Sequence, residues 1–480
     1  MKSLVMTRQI YFILLLLLCL DVCCMDYEAN EDSAPMLKTE KIALYSAIQG
    51  FVGDWWNGSD LYPDPCGWTP IQGISCDVYD GLWYVTTFGI GPVHDNSLTC
   101  APKVEFRPYL FELKHLKSLS FFSCFISSHQ HPINIPTESW ENLANTLESL
   151  EFRSNPGLSG QIPTTFGKLR NLQSLVLLEN GLTGELPTSI GNLVKLKRLV
   201  LASNSFRGRI PDNFGDLTEL LIFDLSQNSL SGSLPVSLGG LASLLKLDLS
   251  NNGFEGEFPK EFGNMKNLTL LDLRNNGLSG GLIRSFQGMG SLEVLVLCNN
   301  SIGGDLMNVE WRNLQNLIIL DLSNMNLIGE IPQSMSELKR IRFLGLNDNN
   351  LTGNISPKLA ALPCINSLYL NGNSLSGKLQ FSEWFYEKMG RRFGAWNNPN
   401  LCYPLDIIDA YHVPVGVKPC QQEVNLVDSV SRTELSGTDL RYTNSHFISS
   451  LGFSTHGIDG KWLGFRIELV MMVLMWNLIV

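Results

Sequence analysis

Asparagine recurs along the middle of this 480-residue chain at a nearly constant spacing of 24 or 25 residues. The series consists of Asn155, Asn180, Asn204, Asn228, Asn252, Asn276, Asn300, Asn349 and Asn373. One step is 49 residues long, and Met325 stands where its missing asparagine would be. The unit around each asparagine reads L-x-x-L-x-L-x-x-N-x-L-x-G-x-I/L-P, as in LVLLENGLTGELP from Leu175. A period of this length predicts a stack of similar coils rather than several globular domains.

The pattern has a direct physical interpretation. In Leu175-Val176-Leu177 the alternation of a strand points both leucines inward and Val176 outward. Stacked coils then merge their leucine rows into one continuous core. A buried asparagine amide can satisfy backbone groups of its own turn and of the neighbouring coil. Because methionine cannot do so, we expect the Met325 coil to lose a rung of this ladder and to open slightly.

This is the pattern of the leucine-rich repeat, sustained over ten units from Leu147 to Met389. The predicted fold class is an α/β solenoid, a leucine-rich-repeat superhelix. Residues 85–146 are expected to hold one or two degenerate coils, with Cys124 at the asparagine position of one and Phe88–Val93 as a weaker match. Their insertions include His129 and His131, which form an incomplete ligand set, and a solvated loop is the preferred interpretation.

The ends of such an array need covers, since an exposed coil would leave core leucines in water. An N-terminal cap is predicted over residues 25–84, where Leu37, Ile42, Tyr45, Ile48 and Phe51 recur at roughly helical spacing. A C-terminal cap is predicted over residues 390–420.

Eight cysteines follow the first 24 residues, and they allow 105 pairings. Locality favours the disulfides Cys66–Cys76 and Cys402–Cys420 in the two caps. A Cys100–Cys124 bond would join the degenerate coils. Cys298 and Cys364 lie more than two coils apart, and we expect them to stay free.

The two ends of the chain predict the compartment. Residues 1–24 have the basic start and short apolar run of a signal peptide. Residues 421–461 are polar and predicted to be a disordered stalk. The apolar tail, residues 462–480, fits either a lipid-anchor signal or a short membrane span, and plain secretion is the third alternative. We therefore expect the extracellular face of the plasma membrane. Five sequons are candidate glycosylation sites on such a protein: Asn57, Asn267, Asn299, Asn350 and Asn354.

The G-x-I-P repeats and the cap segment LYPDPCGWTPIQGISCD, Leu61 to Asp77, resemble those of plant receptor-like proteins. The resemblance implies a kinase-lacking protein of the cell surface that works beside a leucine-rich-repeat receptor kinase as co-receptor. It also implies a role in responses to microbes, in defence or in fungal symbiosis. The proline of G-x-I-P is replaced at Ile283, Met307, Ser356 and Gln380, where the family's second, lateral sheet should be less regular.

Two columns of outward residues are candidate contacts for a protein or peptide ligand on the concave face. The first column lies just before the central strand leucine and consists of Ile222, Lys246, Leu270, Val294, Ile319 and Phe343. Its apolar character indicates a partner patch, unless neighbouring side chains or curvature cover it. The second column consists of Asp224, Asp248, Asp272 and Asp321, and it would suit a basic ligand. The alternative is that L-D-L-S is simply the common form of the repeat.

A basic cluster could meet acidic wall polymers, although surface charge more often serves solubility. Its members are Lys195, Lys197, Arg198, Arg207 and Arg209. Nucleic acid is not an expected partner, because the chain has a net charge of −11. We find no catalytic motif and expect neither enzymatic activity nor a cofactor or metal. The leading hypothesis is a cell-surface binding protein that signals through a co-receptor. The alternative is a secreted inhibitor of a cell-wall-degrading enzyme.

Overall fold

The computed structural model describes residues 34–92, 97–126, 132–405 and 413–421. The predicted signal peptide, stalk and tail, and the pair His129 and His131, lie outside the described residues. Within these ranges two helices precede the first coils, α1 (Lys38–Val52) and α2 (Gly58–Leu61), and α3 (Glu383–Met389) follows the repeats.

The strands follow in chain order: β1 (Ile74–Tyr79), β2 (Leu82–Ile90), β3 (Ser118–Phe122), β4 (Ile133–Asn134), β5 (Ser149–Gly160), β6 (Ser174–Glu185), β7 (Arg198–Val200), β8 (Ser205–Gly208), β9 (Ile222–Asp224), β10 (Ser229–Gly232), β11 (Lys246–Asp248), β12 (Gly253–Glu257), β13 (Leu270–Asp272), β14 (Gly277–Ser279), β15 (Val294–Val296), β16 (Gly304–Asp305), β17 (Ile319–Asp321), β18 (Leu327–Glu330), β19 (Phe343–Gly345), β20 (Asn350–Thr352), β21 (Ser367–Tyr369), β22 (Ser376–Lys378), β23 (Phe393–Gly394), β24 (Asn400–Tyr403) and β25 (Lys418–Pro419).

One strand from each coil joins a long parallel sheet, which we call the concave sheet. It runs through β2, β3, β5, β6, β7, β9, β11, β13, β15, β17, β19, β21 and β23. The repeat keeps the strands in register, so that Leu247, Leu271 and Leu295 lie side by side. All three are fully buried or nearly so, and they belong to one core cluster that extends along the whole array. The solenoid predicted from the repeat is confirmed.

The opposite side of most coils is a short 3-10 helix rather than an α-helix. Typical examples are Thr188–Asn192 and Asp212–Asp216, each following the proline of G-x-I-P. Only about five residues separate that proline from the leucine that turns the chain back to the next strand. Such a segment is long enough for a 3-10 turn and too short for a stable α-helix.

The asparagine ladder works as the sequence predicts. In a regular coil, Asn276 Nδ2 donates to the carbonyls of Leu249 and Leu273 at 3.0 Å each. Its Oδ1 accepts from the N–H of Phe254 at 3.1 Å, one coil earlier. A single side chain thereby satisfies backbone groups of two coils. The ladder continues to Asn398, which repeats these bonds inside the predicted C-terminal cap. The array is therefore one coil longer than the ten units counted from the sequence.

The Met325 coil lacks the amide but stays closed. The Met325 side chain is fully buried, and the N–H of Gly303 donates instead to the Met325 carbonyl at 2.7 Å. Asn349 Oδ1 accepts the N–H of Met325. Strand pairing continues across the coil, so the expected opening is wrong. A thioether chain fills the space with apolar contacts, and the Met325 backbone carbonyl replaces the missing side-chain acceptor.

A second set of strands forms a lateral sheet on one flank. It runs from β6 through β8, β10 and β12 to β14, resumes as β16–β18–β20, and resumes again as β22–β24–β25. The breaks fall at the coils of Ile283 and Met307 and at those of Ser356 and Gln380, which confirms the expected irregularity. Proline holds φ near −65°, as at Pro259 with −66°, whereas Ile283 relaxes to −107°.

Both caps are closed by disulfides, as predicted. Cys66–Cys76 has a Cα separation of 5.6 Å and Cys402–Cys420 one of 4.9 Å. The structure also joins Cys100 to Cys124.

The N-terminal cap packs through α1. The ring centroids of Phe51, in α1, and Phe121, in the first coils, lie 4.5 Å apart. Leu37 and Ile42, predicted to face the core, are 41% and 48% exposed. Ala43, Leu44 and Ala47 occupy the buried face instead, and none of these three was in the predicted set.

Candidate ligand-binding face

The first concave column is less accessible than the sequence suggests. Leu270, Val294 and Ile319 are only 3%, 2% and 3% exposed, so their prediction as an open contact patch is wrong. Parallel strands place residues of one column about 4.8 Å apart, so each side chain is flanked by similar neighbours on both sides. The covering alternative therefore holds at the centre of the column. Ile222 and Phe343, nearer its ends, are partly exposed.

Lys246 interrupts the apolar column and is 8% exposed. Its Nζ lies 2.8 Å from Asp224 Oδ2 and 3.7 Å from Asp248 Oδ2. One cation thus bridges two carboxylates of adjacent coils, and none of the three is an open charge.

The acidic column is engaged by its own coils. Asp224, Asp248 and Asp321 each accept, through Oδ1, the N–H and the hydroxyl of the serine two residues later, with the hydroxyl oxygen at 2.7 Å. These serines are Ser226, Ser250 and Ser323. The repeated L-D-L-S is therefore an internal tie, and the predicted open acidic surface is wrong for this column.

Asp272 differs, because an arginine replaces the serine. Asp272 Oδ1 accepts the N–H of Arg274 at 3.1 Å, and Oδ2 lies 3.4 Å from Arg274 Nε. The Asp272 carboxylate is fully buried. Burial, followed by repulsion from Asp248, raises the pKa of Asp272 to about 8. Burial and the charge of Asp224 raise the pKa of Asp248 as well. Part of the acidic column is therefore protonated at mildly acidic pH.

A partly exposed aromatic pair lies on the concave face, with Phe343 in the apolar column and Tyr369 one coil later in the column of Asp321. The rings of Phe343 and Tyr369 lie 5.9 Å apart, and both residues are partly exposed. Gly345 pairs with Tyr369 in the strand register, and a Cβ there would lie 2.8 Å from Asp321 Oδ1 and 3.1 Å from Phe343 Cε1. The concave face thus has an aromatic shelf, Phe343 and Tyr369, beside a side-chain-free position. Tyr369 lies two coils beyond Asp321 in the second column, outside the four aspartates that define that column in the sequence.

The predicted basic cluster is divided between two surfaces. Lys195 and Lys197 precede β7 and donate to Asn171 and Gln173 of the preceding coil. Arg207 lies in lateral strand β8, and Arg209 follows that strand. The chain turns at the Asn204 ladder position between these segments, which separates them. The five residues therefore do not form one patch.

The two free cysteines of the described chain differ in environment. Cys298 lies on the concave side and is buried, and Cys364 is exposed. Burial raises the pKa of the Cys298 thiol, and Asp321 adds to the shift. Cys298 is therefore an unreactive thiol in the native state.

The five sequon asparagines, Asn57, Asn267, Asn299, Asn350 and Asn354, are all exposed. Asn299 also belongs to a side-chain ladder on the surface, donating to Asn275 Oδ1 at 2.7 Å and accepting from Asn324 at 2.9 Å. Glycosylation stays a prediction at each site.

Within the described ranges, no cluster of three or more potential metal-ligating side chains occurs. No helix in that part of the chain has the length and hydropathy to cross a membrane.

Sequence comparison connects this architecture to known proteins. Leucine-rich-repeat models match residues 195–254 and, separately, 171–193, 267–289 and 316–338. Piriformospora indica-insensitive protein 2 of Arabidopsis thaliana is 59% identical over 181 residues, which cover 36% of this chain and 42% of the relative. Receptor like protein 29 of the same plant is 32% identical over 182 residues, 37% of each chain. The matches thus span less than half the length of these relatives.

A solved structure, described as the plant peptide hormone receptor RGFR1 in complex with RGF2, shares the fold. Its TM-score is 0.54 at 27% identity, covering 71% of this chain and 61% of that one. The coil register, the capping disulfides and these matches identify the chain as a leucine-rich-repeat solenoid that resembles plant receptor-like proteins.

Proposed function

We propose that this protein is the ligand-binding subunit of a receptor complex on the outer face of the plasma membrane. It binds a peptide or the ectodomain of a partner protein on its concave face. It then signals through a leucine-rich-repeat receptor kinase, in response to microbes. The apolar tail holds it at the membrane.

The comparisons support the class of partner. A solved structure with the same fold is a peptide hormone receptor in complex with its ligand. Two sequence relatives are a receptor-like protein and a protein named for its insensitivity to a fungus.

The observation that carries the proposal is the aromatic shelf. Phe343 and Tyr369 are partly exposed on the concave face, where every neighbouring strand contributes side chains to the same surface. Exposed aromatic side chains beside a buried floor are typical anchors of protein interfaces. Ile319, which is 3% exposed, pairs with Phe343 in the strand register and supports the shelf from one side.

The test is recovery of receptor kinases from plant membranes with the tagged full-length chain. Phe343→Asp should reduce kinase recovery at least tenfold, because a carboxylate would replace an apolar anchor. Val236→Asp is the matched control, since Val236 is 63% exposed on a 3-10 helix at the other side of its coil. Equal recovery with both variants would contradict concave-face binding.

Attachment is tested in the same cells with a phospholipase C specific for lipid anchors. Release of the protein by the lipase indicates an anchor, and retention indicates a span. Free secretion into the wall, with no kinase recovered and with inhibition of a polygalacturonase, would replace this proposal by the secreted inhibitor.

A further inference from the structure

Two arginines lie on the concave side of strands β5 and β7, and only one of them has an ion pair among the described residues. Arg153 pairs with Glu151, with 2.9 Å between Nε and Oε2. Arg198 lies two strands away and has no ion pair among the described residues. The acids whose charges act on Arg198 are Glu151 and Asp224. Each of them already has a cation, Arg153 for the first and Lys246 for the second.

Two polar atoms in this region are buried and have no hydrogen-bond partner among the described residues. They are Arg198 Nε and Ser174 Oγ. Ser174 and Arg198 are directly paired in the register of β6 and β7, so their side chains emerge from the concave sheet about 4.8 Å apart. An N–H donor and a hydroxyl donor on adjacent strands can both donate to one oxyanion.

The surroundings are apolar. Val176, Val200 and Ala202 form a small buried cluster on the concave face, separate from the main core. Leu178 and Ile222 pack against that cluster and remain partly exposed. Burial and the charge of Arg153 lower the pKa of Arg198, which reflects the cost of keeping a cation there. An unpaired cation in such a setting is expensive, and a bound anion would offset that cost.

We propose that Arg198 and Ser174 bind an oxyanion, a carboxylate or a sulfate ester, carried by an apolar group of the peptide or protein ligand. Arg198 donates from its guanidinium and Ser174 from its hydroxyl. Leu178 and Ile222 contact the apolar part of the ligand. The inference rests on the proposed concave-face function and adds the chemistry that the ligand must carry.

Saturation-transfer NMR on the purified full-length protein tests the site with small probes at fixed ionic strength. The probes are phenyl sulfate and phenylacetate, with phenylacetamide as the neutral reference. At least one anionic probe should bind the native protein, and phenylacetamide should bind at least tenfold more weakly. A preference for phenyl sulfate indicates a sulfate ester on the ligand, and a preference for phenylacetate indicates a carboxylate.

Arg198→Gln should weaken the preferred anionic probe at least about tenfold, as expected for loss of a hydrogen bond between charged groups. Ser174→Ala, which removes only one hydroxyl, should weaken it less and provides a test if the arginine variant fails to fold. Arg207→Gln, on lateral strand β8, is the matched control and should leave binding unchanged.

Native affinity in both Arg198→Gln and Ser174→Ala, or equal binding of phenylacetamide and phenylacetate, would overturn the site. Failure of this inference is distinguishable from failure of the proposed function. Unchanged kinase recovery with Phe343→Asp refutes the proposed function. Unchanged anion binding in both Arg198→Gln and Ser174→Ala refutes only the oxyanion site.

Discussion

Asp272 should make the stability of the array depend on pH. Its carboxyl is fully buried on β13 beside Asp248, and these causes raise its pKa to about 8, against about 3.9 in an unfolded chain. Between those values the folded state binds a proton that the unfolded state has lost. Stability therefore decreases as pH rises through this window, by up to about 1.4 kcal/mol per pH unit.

Asp272→Asn removes the titration and keeps an oxygen for the N–H of Arg274. The free energy of unfolding of this variant, minus that of the native protein, should increase by about 3 kcal/mol between pH 5 and pH 7. The assay is urea unfolding followed by tryptophan fluorescence at three pH values. Asp216→Asn, at an exposed carboxyl, is the control and should show no such trend. A difference that stays constant with pH would refute the buried, proton-binding carboxyl.

Two further predictions concern the ladder and the thiols. Asn276→Ala should lower the free energy of unfolding by about 3 kcal/mol, because two donated hydrogen bonds are lost and the N–H of Phe254 is left without its acceptor. Urea unfolding measures this loss, with Asn264→Ala at an exposed position as the control, and equal losses in the two variants would contradict the role of the ladder. In native protein a thiol reagent should modify Cys364 rapidly and Cys298 only after denaturation. Cys364→Ser should therefore abolish the fast phase of modification and Cys298→Ser should not, and the reverse pattern would contradict the burial of Cys298.

The repeat explains why so much of the fold is predictable. A 24-residue period with leucine and asparagine at set places specifies strand, turn and stacking direction at once. Each coil therefore needs only its neighbours to complete it. The irregular positions were predictable for the same reason: the lateral sheet breaks near Ile283 and Met307, where proline is absent.

The last coil, with Asn398, has Phe-x-Ala in place of Leu-x-Leu and lies inside the range predicted as the C-terminal cap. Phe393 and Ala395 are nevertheless buried in the leucine positions. At this position the order along the chain and the apolar character of the side chains indicate another coil, whereas the residue types do not.

The concave face was predicted less well, because position in a column does not determine exposure. Leu270 and Phe343 occupy equivalent positions, yet Leu270 is buried between Lys246 and Val294, whereas Phe343 has the small Ser367 as its next neighbour in the column. The acidic column shows the same limit. A row of aspartates in sequence resembles an open anionic surface. In three of the four coils, however, the aspartate Oδ1 already accepts a hydrogen bond from the serine two residues later.

The period, the inward leucines, the ladder asparagines and the cysteines of the caps are all predictable from sequence, since each depends on residues within one or two coils. Contacts between outward side chains of different coils become visible only in the folded array. The folded array pairs Lys246 with Asp224, leaves Arg198 beside Ser174 without an ion pair among the described residues, and raises the pKa of Asp272. The burial and the charge compensation of a side chain depend on neighbouring residues from separate coils. The repeat determines the positions of those neighbours but not their residue types.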